Sequence, residues 1–327
     1  VLVTSTASKE AREGMDFFPL TVDYEEKMYA VGKMPGGFLR REGRPGNSAI
    51  LNARLIDRPI RPLFDKRCRN DIHVMATVLS VDYDNAPELC GMLGASASLG
   101  ISDIPWDGPI AGVRVGRVDG KFVINPTQEQ LKVSTLNITV AGSETAILMV
   151  EGGAQEAPEE DVLDAIMFGH ETIKELVAFQ KKIIEEVGKP KRTLIFPEIP
   201  EEIKTAIYAY AERPLKEAIF IPDKLTREAH MEEVREEAEA HFKEIYPENG
   251  SDIAECLNHL TKEIVRHMIS VDKIRPDGRA LDEIRPISCE VGLLPRVHGS
   301  ALFTRGQTQA LTITTLAPMS ETQIIDD

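Results

Sequence analysis

The chain carries, at residues 53–64, the stretch Ala53-Arg54-Leu55-Ile56-Asp57-Arg58-Pro59-Ile60-Arg61-Pro62-Leu63-Phe64. Its arginines Arg54, Arg58 and Arg61 are spaced by four and then three residues, so a helix would place them on one face. The two prolines disfavour a long regular helix, because proline removes a backbone donor and clashes with the preceding turn. We therefore predict a helix over Ala49–Leu55, expect only the first two arginines to share a face, and consider Asp57 a candidate partner for one of the three.

A loop rich in glycine and arginine precedes this helix and runs from Gly32 to Pro45. Phe38 can stack on any nucleobase while the guanidinium groups of Arg40, Arg41 and Arg44 hold phosphates, which is a sequence-tolerant way to bind single-stranded nucleic acid. The loop lacks the Gly-Lys-Ser/Thr ending of a P-loop. A surface loop with solvated charges explains the loop equally well by itself, but the second arginine cluster favours a phosphate-rich ligand.

Charge is strongly segregated along the chain. The net charge is −15, which by itself argues against a polyanionic ligand. Residues 33–69 nevertheless hold ten Lys/Arg against three Asp/Glu, whereas residues 156–272 hold fifteen Lys/Arg against twenty-seven Asp/Glu. Because local charge guides partners better than the total does, the first segment is expected to face an anion and the second to face water.

Residues 1–155 are predicted to form an α+β domain, because short β-branched runs alternate with glycine turns. The predicted strands are Leu2–Thr6, Phe18–Glu25, Asp71–Asp82, Ile110–Arg117, Lys121–Val123 and Leu136–Ala141. Asp119-Gly120 predicts a hairpin turn between two of them. A second helix, over Glu88–Leu99, is rich in small residues and is expected to be buried.

Helical periodicity dominates the middle of the chain. One helix is predicted over residues 158–188, with acidic residues at its start and Gly188 at its end. Helices near Glu201–Ala211, Thr226–Glu244 and Ile253–Ile269 then indicate a solvated all-α linker domain over residues 190–270. A third region, residues 274–327, begins with strand-like segments at Ser288–Val291 and Ala310–Thr315.

Ala310–Ala317 can be aligned with Val1–Ser8, which suggests a tandem duplication cut at both ends. The N-terminus has no initiator Met and no basic region, so we interpret it as a strand entered midway rather than a signal peptide. No run of eighteen apolar residues predicts a membrane span, and the dispersed cysteines favour a reducing compartment, so a cytoplasmic location is expected.

Several longer motifs resemble the first core of bacterial polynucleotide phosphorylases. They are Phe17–Val22, Pro35–Pro45, Arg54–Phe64, Met149–Glu151 and, beyond the helical region, Pro295–Gly306. The resemblance covers essentially the whole chain. It implies an RNase PH-like first core, an all-α domain, and the opening strands of a second RNase PH-like core. It also implies KH and S1 domains further along, a homotrimeric ring that RNA enters, and partners in RNA-degradation complexes.

The resemblance assigns roles to particular residues. The aromatic-arginine loop of the family lines the central pore, which maps RNA binding onto Phe38, Arg40 and Arg41. Leu39 stands where the family usually has a second aromatic, so one stacking surface, typically worth ~1–3 kcal/mol per base, is missing. The match also places Arg44, Arg54, Arg58 and Arg61 near the RNA path, and makes Arg275, Arg279 and Arg305 candidate contributors to a phosphate or RNA site of the second core.

The family's reaction is attack of inorganic phosphate on the 3′-terminal phosphodiester of RNA, which releases nucleoside diphosphates and needs Mg²⁺ held by carboxylates. The resemblance places these groups beyond Asp327. In the first core, the counterparts of the family's metal-binding Asp and its Lys are Asn137 and Thr139, and Ala86-Pro87-Glu88 lies close to the counterpart of the phosphate loop. We therefore expect residues 1–327 to bind RNA and to lack phosphorolytic activity by themselves.

Two other classes of protein remain open. A non-catalytic RNA-binding ring subunit fits the residues present. An enzyme acting on small phosphorylated metabolites is disfavoured, because the chain offers neither a phosphate loop nor a pair of acidic residues. His298 and Ser300 have no placed acid to complete a catalytic triad, and a structural role is expected for both.

Overall fold

In the computed structural model, which describes residues 1–12, 14–15, 17–36, 42–82, 84–194 and 199–321, the chain folds as two units, residues 1–196 and 197–324. The predicted α+β class is confirmed. No helix in the described ranges is both long and apolar enough to cross a lipid bilayer.

The first sheet of unit 1 has three strands in the order β1-β3-β2. These are β1 (Leu2–Ala7), β2 (Leu20–Glu26) and β3 (Ile72–Val78). The central strand β3 runs antiparallel to β1 and parallel to β2. Alternate β3 residues, among them Val74 and Ala76, are fully buried, so one face of the sheet packs against the hydrophobic core.

The helix that carries the arginines is longer than predicted. Helix α1 spans Asn47–Ile60 and continues into a 3-10 turn over Arg61–Leu63. Pro59 is tolerated because it lies in the last turn and is buried with Ile56 and Ile60, whose burial against the sheet outweighs one lost backbone hydrogen bond. The expectation that the prolines would end the helix early was wrong.

Helix α2 (Pro87–Ile101) packs between β1 and α4 (Glu159–Val187), and its predicted burial is confirmed. Its glycines permit this close approach. A Cβ atom added to Gly94 would lie 2.6 Å from Val3 Cγ2, and one added to Gly100 would lie 2.5 Å from Ile184 Cδ1.

The second sheet of unit 1 has four antiparallel strands in the order β5-β4-β6-β7. They are β4 (Ala111–Val118), β5 (Lys121–Ile124), β6 (Leu136–Gly142) and β7 (Ile147–Ala154), and helix α3 (Gln128–Val133) precedes β6. The apolar stripe of α4, including Ile173 and Val177, covers this sheet. The predicted strands are present within a few residues of their expected bounds, whereas β7 and α3 were not predicted.

Unit 2 contains three helices and a three-stranded sheet. Helices α5 (Glu201–Ile219), α6 (Lys224–Ile245) and α7 (Gly250–Ser270) share one apolar core that includes Ile207, Leu215 and Leu257. Helix α5 passes through Pro214 and ends eight residues later than predicted. The strands β8 (Ile287–Val291), β9 (Gly299–Arg305) and β10 (Thr308–Thr314) form an antiparallel meander.

The structural role expected for His298 and Ser300 is confirmed in this meander. The backbone N–H of Leu316 donates to His298 Nδ1 at 2.9 Å, and the N–H of Leu294 donates to Ser300 Oγ at 3.0 Å. Both side chains thus satisfy backbone donors beside the β9 strand, and neither contacts the other as nucleophile and base would.

Candidate nucleic-acid interface

The predicted interface is described by the structure only from Arg44 onward. Phe38, Arg40 and Arg41, together with Leu39, fall within residues 37–41 and lie outside the described residues. The remaining predicted positions are Arg44, which is exposed just before α1, and the arginines of α1 and of the turn after it. The described part of this interface therefore consists of Arg44, helix α1 and the turn after it.

Arg61 is held by several contacts within the chain. Its Nε and Nη2 donate to the two carboxylate oxygens of Asp57 at 2.9 and 2.7 Å, which confirms the expected partnership. Nη2 also donates to the Leu20 carbonyl at 2.9 Å, and the guanidinium carbon lies 5.7 Å from the ring centre of Phe18. Arg61 thus ties the end of α1 to the start of β2, and its charge is already paired.

Arg58 forms an ion pair with Glu151 of β7, which is ninety-three positions away in the sequence. Both side chains are about half exposed, at 44% and 57%. An exposed pair of this kind contributes little to stability, roughly 0–1 kcal/mol, so a phosphate can compete with Glu151 for the guanidinium. Sequence spacing offered no signal for this contact.

Arg54 is the arginine of α1 that makes no side-chain hydrogen bond or ion pair with another described residue. Within the described ranges, neither Arg54 nor Arg44 has a hydrogen-bond or ion-pair partner. Arg54 lines a pocket of about 320 Å³ between β2 and α1. Val22, Ala49 and Ile50 contribute apolar walls, and Asp23, Asp57 and Arg61 also line it. Ile50 is 49% exposed at its rim. A guanidinium beside a shallow apolar surface can hold a phosphate while the adjoining base or ribose contacts the wall.

The arginines predicted in unit 2 have separate roles. Arg275 donates to the backbone carbonyls of Leu281 and Glu283, so it fastens its own loop. Arg279 donates to Asp277 at 2.9 Å and to the Glu283 carbonyl at 2.6 Å. The Arg305 side chain has no hydrogen-bond or ion-pair partner in the described part of the chain, and it lines a second pocket together with Arg279. The structure therefore brings Arg279 and Arg305 to one pocket, while Arg275 fastens the loop at residues 275–283.

In the first core, the positions aligned with the family's reactive groups have neutral or paired side chains. Asn137 is exposed on β6, and Thr139 is buried two residues further along. Glu88, at the start of α2, accepts a hydrogen bond from Arg114 Nη2 at 2.7 Å, and the two side chains are only 12% and 20% exposed. The Glu88 carboxylate already pairs with Arg114, so this part of the first core is poorly suited to bind inorganic phosphate. The Glu88–Arg114 pair was not foreseen from the sequence.

Comparison with protein families identifies three kinds of domain. A model described as "3′ exoribonuclease family, domain 1" matches residues 1–105 and again residues 283–326. A model described as "3′ exoribonuclease family, domain 2" matches residues 108–172. One described as "Polyribonucleotide nucleotidyltransferase, RNA binding domain" matches residues 202–280. The two matches of the same model confirm that the chain carries a repeated domain.

Curated relatives give the same result over the full chain. Proteins named polyribonucleotide nucleotidyltransferase from Heliobacterium modesticaldum and Syntrophomonas wolfei are both 57% identical over 326 residues, which is 100% of this chain and 46% of theirs. The protein of that name from Geobacillus kaustophilus is 55% identical over 328 residues and is covered to 45%. The chain thus spans about half the length of the curated relatives it matches.

Proposed function

Because the chain belongs to the polyribonucleotide nucleotidyltransferase family, whose 3′ exoribonuclease and RNA-binding domains it carries, we propose that it is the RNA-holding part of an enzyme that degrades single-stranded RNA from its 3′ end. The proposed reaction is phosphorolysis, with release of nucleoside diphosphates. We further propose a homotrimeric ring in the cytoplasm, with partners in RNA degradation. The domain bounds, which are 1–155 with its C-terminal helix 158–188, then 190–270 and 274–327, stay predictions.

One observation carries the RNA-holding role: Arg54, which has no ion-pair or hydrogen-bond partner among the described residues, lines an open pocket on a helix next to an arginine-rich segment. Arg44 is exposed just before this helix, and Arg58 can be released from an exposed carboxylate. Weak, separable contacts to phosphates suit a ligand that is bound without regard to sequence.

Magnesium and inorganic phosphate are proposed reactants of the complete enzyme. Within the described residues, no three side chains of His, Cys, Asp or Glu gather into a group that could hold a metal ion. We propose that the metal and phosphate are held by the part of the complete enzyme that the longer relatives have and residues 1–327 do not cover. A non-catalytic RNA-binding subunit is the second candidate, and the Glu88–Arg114 pair in the first core is the observation that favours it.

Binding of a fluorescent single-stranded oligoribonucleotide tests the RNA-holding role. We expect Arg54→Gln to weaken binding about fivefold at low salt and to reduce the slope of log affinity against log salt by about 0.7, the value for one lost phosphate contact on a single strand. Arg12→Gln removes the same charge from an exposed arginine paired with Asp71, and is expected to leave both quantities nearly unchanged. Equal effects of the two variants would contradict a specific role for Arg54.

A separate assay tests the expected lack of phosphorolytic activity in residues 1–327. We expect purified residues 1–327, supplied with Mg²⁺, inorganic phosphate and single-stranded RNA, to release no nucleoside diphosphate above a no-protein control. The physical reason is that the first core has Asn137 and a paired Glu88 at the aligned positions. Phosphate-dependent release measured by thin-layer chromatography, and lost in Asn137→Ala, would contradict this expectation.

A further inference from the structure

Three acidic residues interrupt the basic segment of residues 33–69. Asp57 and Asp65 both pair with arginines of the same segment. Glu42 differs from them, because its carboxylate accepts from a backbone donor: the Met28 nitrogen lies 2.6 Å from Glu42 Oε1. A carboxylate beside arginines that are expected to hold phosphates opposes the binding of RNA unless it has another role.

The donor that Glu42 satisfies belongs to the first residue of a 3-10 turn, Met28–Val31, which follows β2. The first N–H groups of a helical turn have no partner within the turn, and the preceding residue, Lys27, offers no side-chain acceptor. The Lys27 ammonium pairs with Glu25. Glu42 therefore supplies the acceptor that the turn lacks, and a charged acceptor forms a shorter and stronger hydrogen bond than a neutral one.

The turn that carries this donor is fixed to the first sheet of unit 1. The Lys27 N–H donates to the Val78 carbonyl of β3 at 3.3 Å, and the Ala30 carbonyl accepts from the Val81 N–H at 3.4 Å. The Met28 N–H therefore has a defined place relative to β2 and β3, and an acceptor bound to it is held there as well.

Glu42 is followed closely by two residues of the candidate RNA interface. Arg44 comes two positions later and is exposed, and Pro45 lines the pocket beside Arg54. Arg44 thus lies between a hydrogen-bonded residue and a proline, whose ring fixes its own φ. Ordering a residue on binding costs conformational entropy, so an arginine whose backbone is already held binds a phosphate more tightly.

We infer that Glu42 is a positioning residue of the RNA interface, whose carboxylate ties the segment before α1 to the Met28–Val31 turn and so restricts the backbone that carries Arg44. This inference rests on the proposed RNA-holding role. Charge alone gives the opposite expectation, because removing a carboxylate from a basic segment strengthens its attraction for a polyanion. The sign of the effect therefore distinguishes positioning from charge.

Two substitutions of Glu42 separate its hydrogen bond from its charge. Glu42→Gln removes the charge and keeps an acceptor oxygen, whereas Glu42→Met removes both at a similar length. We expect Glu42→Met to weaken the binding of a fluorescent single-stranded oligoribonucleotide about threefold, the effect of one lost hydrogen bond. Glu42→Gln should stay within about twofold of the unmodified protein, because the retained acceptor preserves the position. Glu42 is exposed, so both variants should fold normally.

Removing the donor tests the same hydrogen bond from its other end. Met28→Pro deletes the N–H, and the preceding backbone suits proline, since Lys27 has φ −75° and ψ 135°. Met28→Ala is the matched control, because it shortens the side chain and keeps the N–H. We expect Met28→Pro to bind RNA about threefold more weakly than Met28→Ala, and the addition of Glu42→Met to Met28→Pro to cause no further loss, because both remove one bond.

Hydrogen–deuterium exchange of the peptide covering residues 27–33 gives a measurement that needs no RNA. Exchange should be faster in Glu42→Met than in Glu42→Gln, because the Met28 N–H loses its acceptor only in the first variant. Equal exchange in the two variants would show that the hydrogen bond is not formed in solution, and would overturn the inference.

Two binding results would also overturn it. They are RNA binding by Glu42→Met that is as tight as that of Glu42→Gln, and equal binding by Met28→Pro and Met28→Ala. If Arg54→Gln weakens binding while these variants behave in that way, the positioning role of Glu42 fails alone. If Arg54→Gln leaves binding unchanged as well, the RNA-holding role fails and the inference fails with it.

Discussion

Replacing Trp106 with alanine is expected to lower the free energy of unfolding by about 3–5 kcal/mol, the usual cost of removing a buried tryptophan. Trp106 is 8% exposed, and its Nε1 donates to the Ile60 carbonyl at 3.0 Å. Its ring lies 6.3 Å from that of Phe64, in a cluster beneath the end of α1. The substitution would therefore leave both a cavity and an unsatisfied carbonyl at the helix that carries the arginines.

Urea unfolding followed by circular dichroism measures this effect without relying on the tryptophan itself, which is the single Trp of the chain. Trp106→Phe is the control, because it keeps an aromatic ring and removes the donor. We expect it to cost about 1–2 kcal/mol, in the range of an unsatisfied buried acceptor together with a modest loss of volume. A cost below 1 kcal/mol for Trp106→Ala would show that the cluster does not stabilise this region.

Glu88→Ala is expected to destabilise the protein by about 3 kcal/mol, because it leaves the positive charge of Arg114 without a counter-charge in a largely buried position. The Arg114 side chain is 20% exposed, and its Nε has no hydrogen-bond partner among the described residues, so Glu88 is its principal source of compensation. The same measurement on Asp161→Ala, whose partner Arg117 is more exposed at 28%, should show a smaller loss.

A double substitution distinguishes loss of charge balance from loss of packing. Removing both charges with Glu88→Leu and Arg114→Met should recover most of the stability, since paired buried charges often contribute little net free energy over apolar residues of similar size. If the double variant is as unstable as Glu88→Ala, the cause lies in packing at the start of α2 and not in the unpaired arginine.

Hydrophobic periodicity in the sequence predicted those helices and strands whose apolar residues recur at regular spacing along the whole element. The long amphipathic helix α4 and the alternating strand β3 have the expected bounds within a few residues. The prediction was wrong where burial overrides a local preference, as at Pro59 in α1 and Pro214 in α5, which both lie inside helices. The strand β7 was missed because Gly152 and Gly153 interrupt its β-branched pattern.

Local sequence patterns also limit what could be predicted of the candidate site. The spacing predicted that Arg54 and Arg58 share a helix face, and the expected pairing of Asp57 with one of the arginines is confirmed by its contact with Arg61. It could not show that Glu151 approaches Arg58 from a strand far along the chain. Such pairs decide how much of a basic segment is free to bind, and they depend on tertiary contacts that no local pattern encodes.

The Arg58–Glu151 pair bears on how a bound strand would move. If a phosphate takes Arg58, the carboxylate is released into solvent, and when the phosphate leaves, the carboxylate returns. Because an exposed ion pair contributes only roughly 0–1 kcal/mol, the guanidinium would lose little free energy when a phosphate replaces the carboxylate. A strand held in this way could advance by one nucleotide without losing all of its contacts together. This side of the helix would then let the RNA slide while it stays bound.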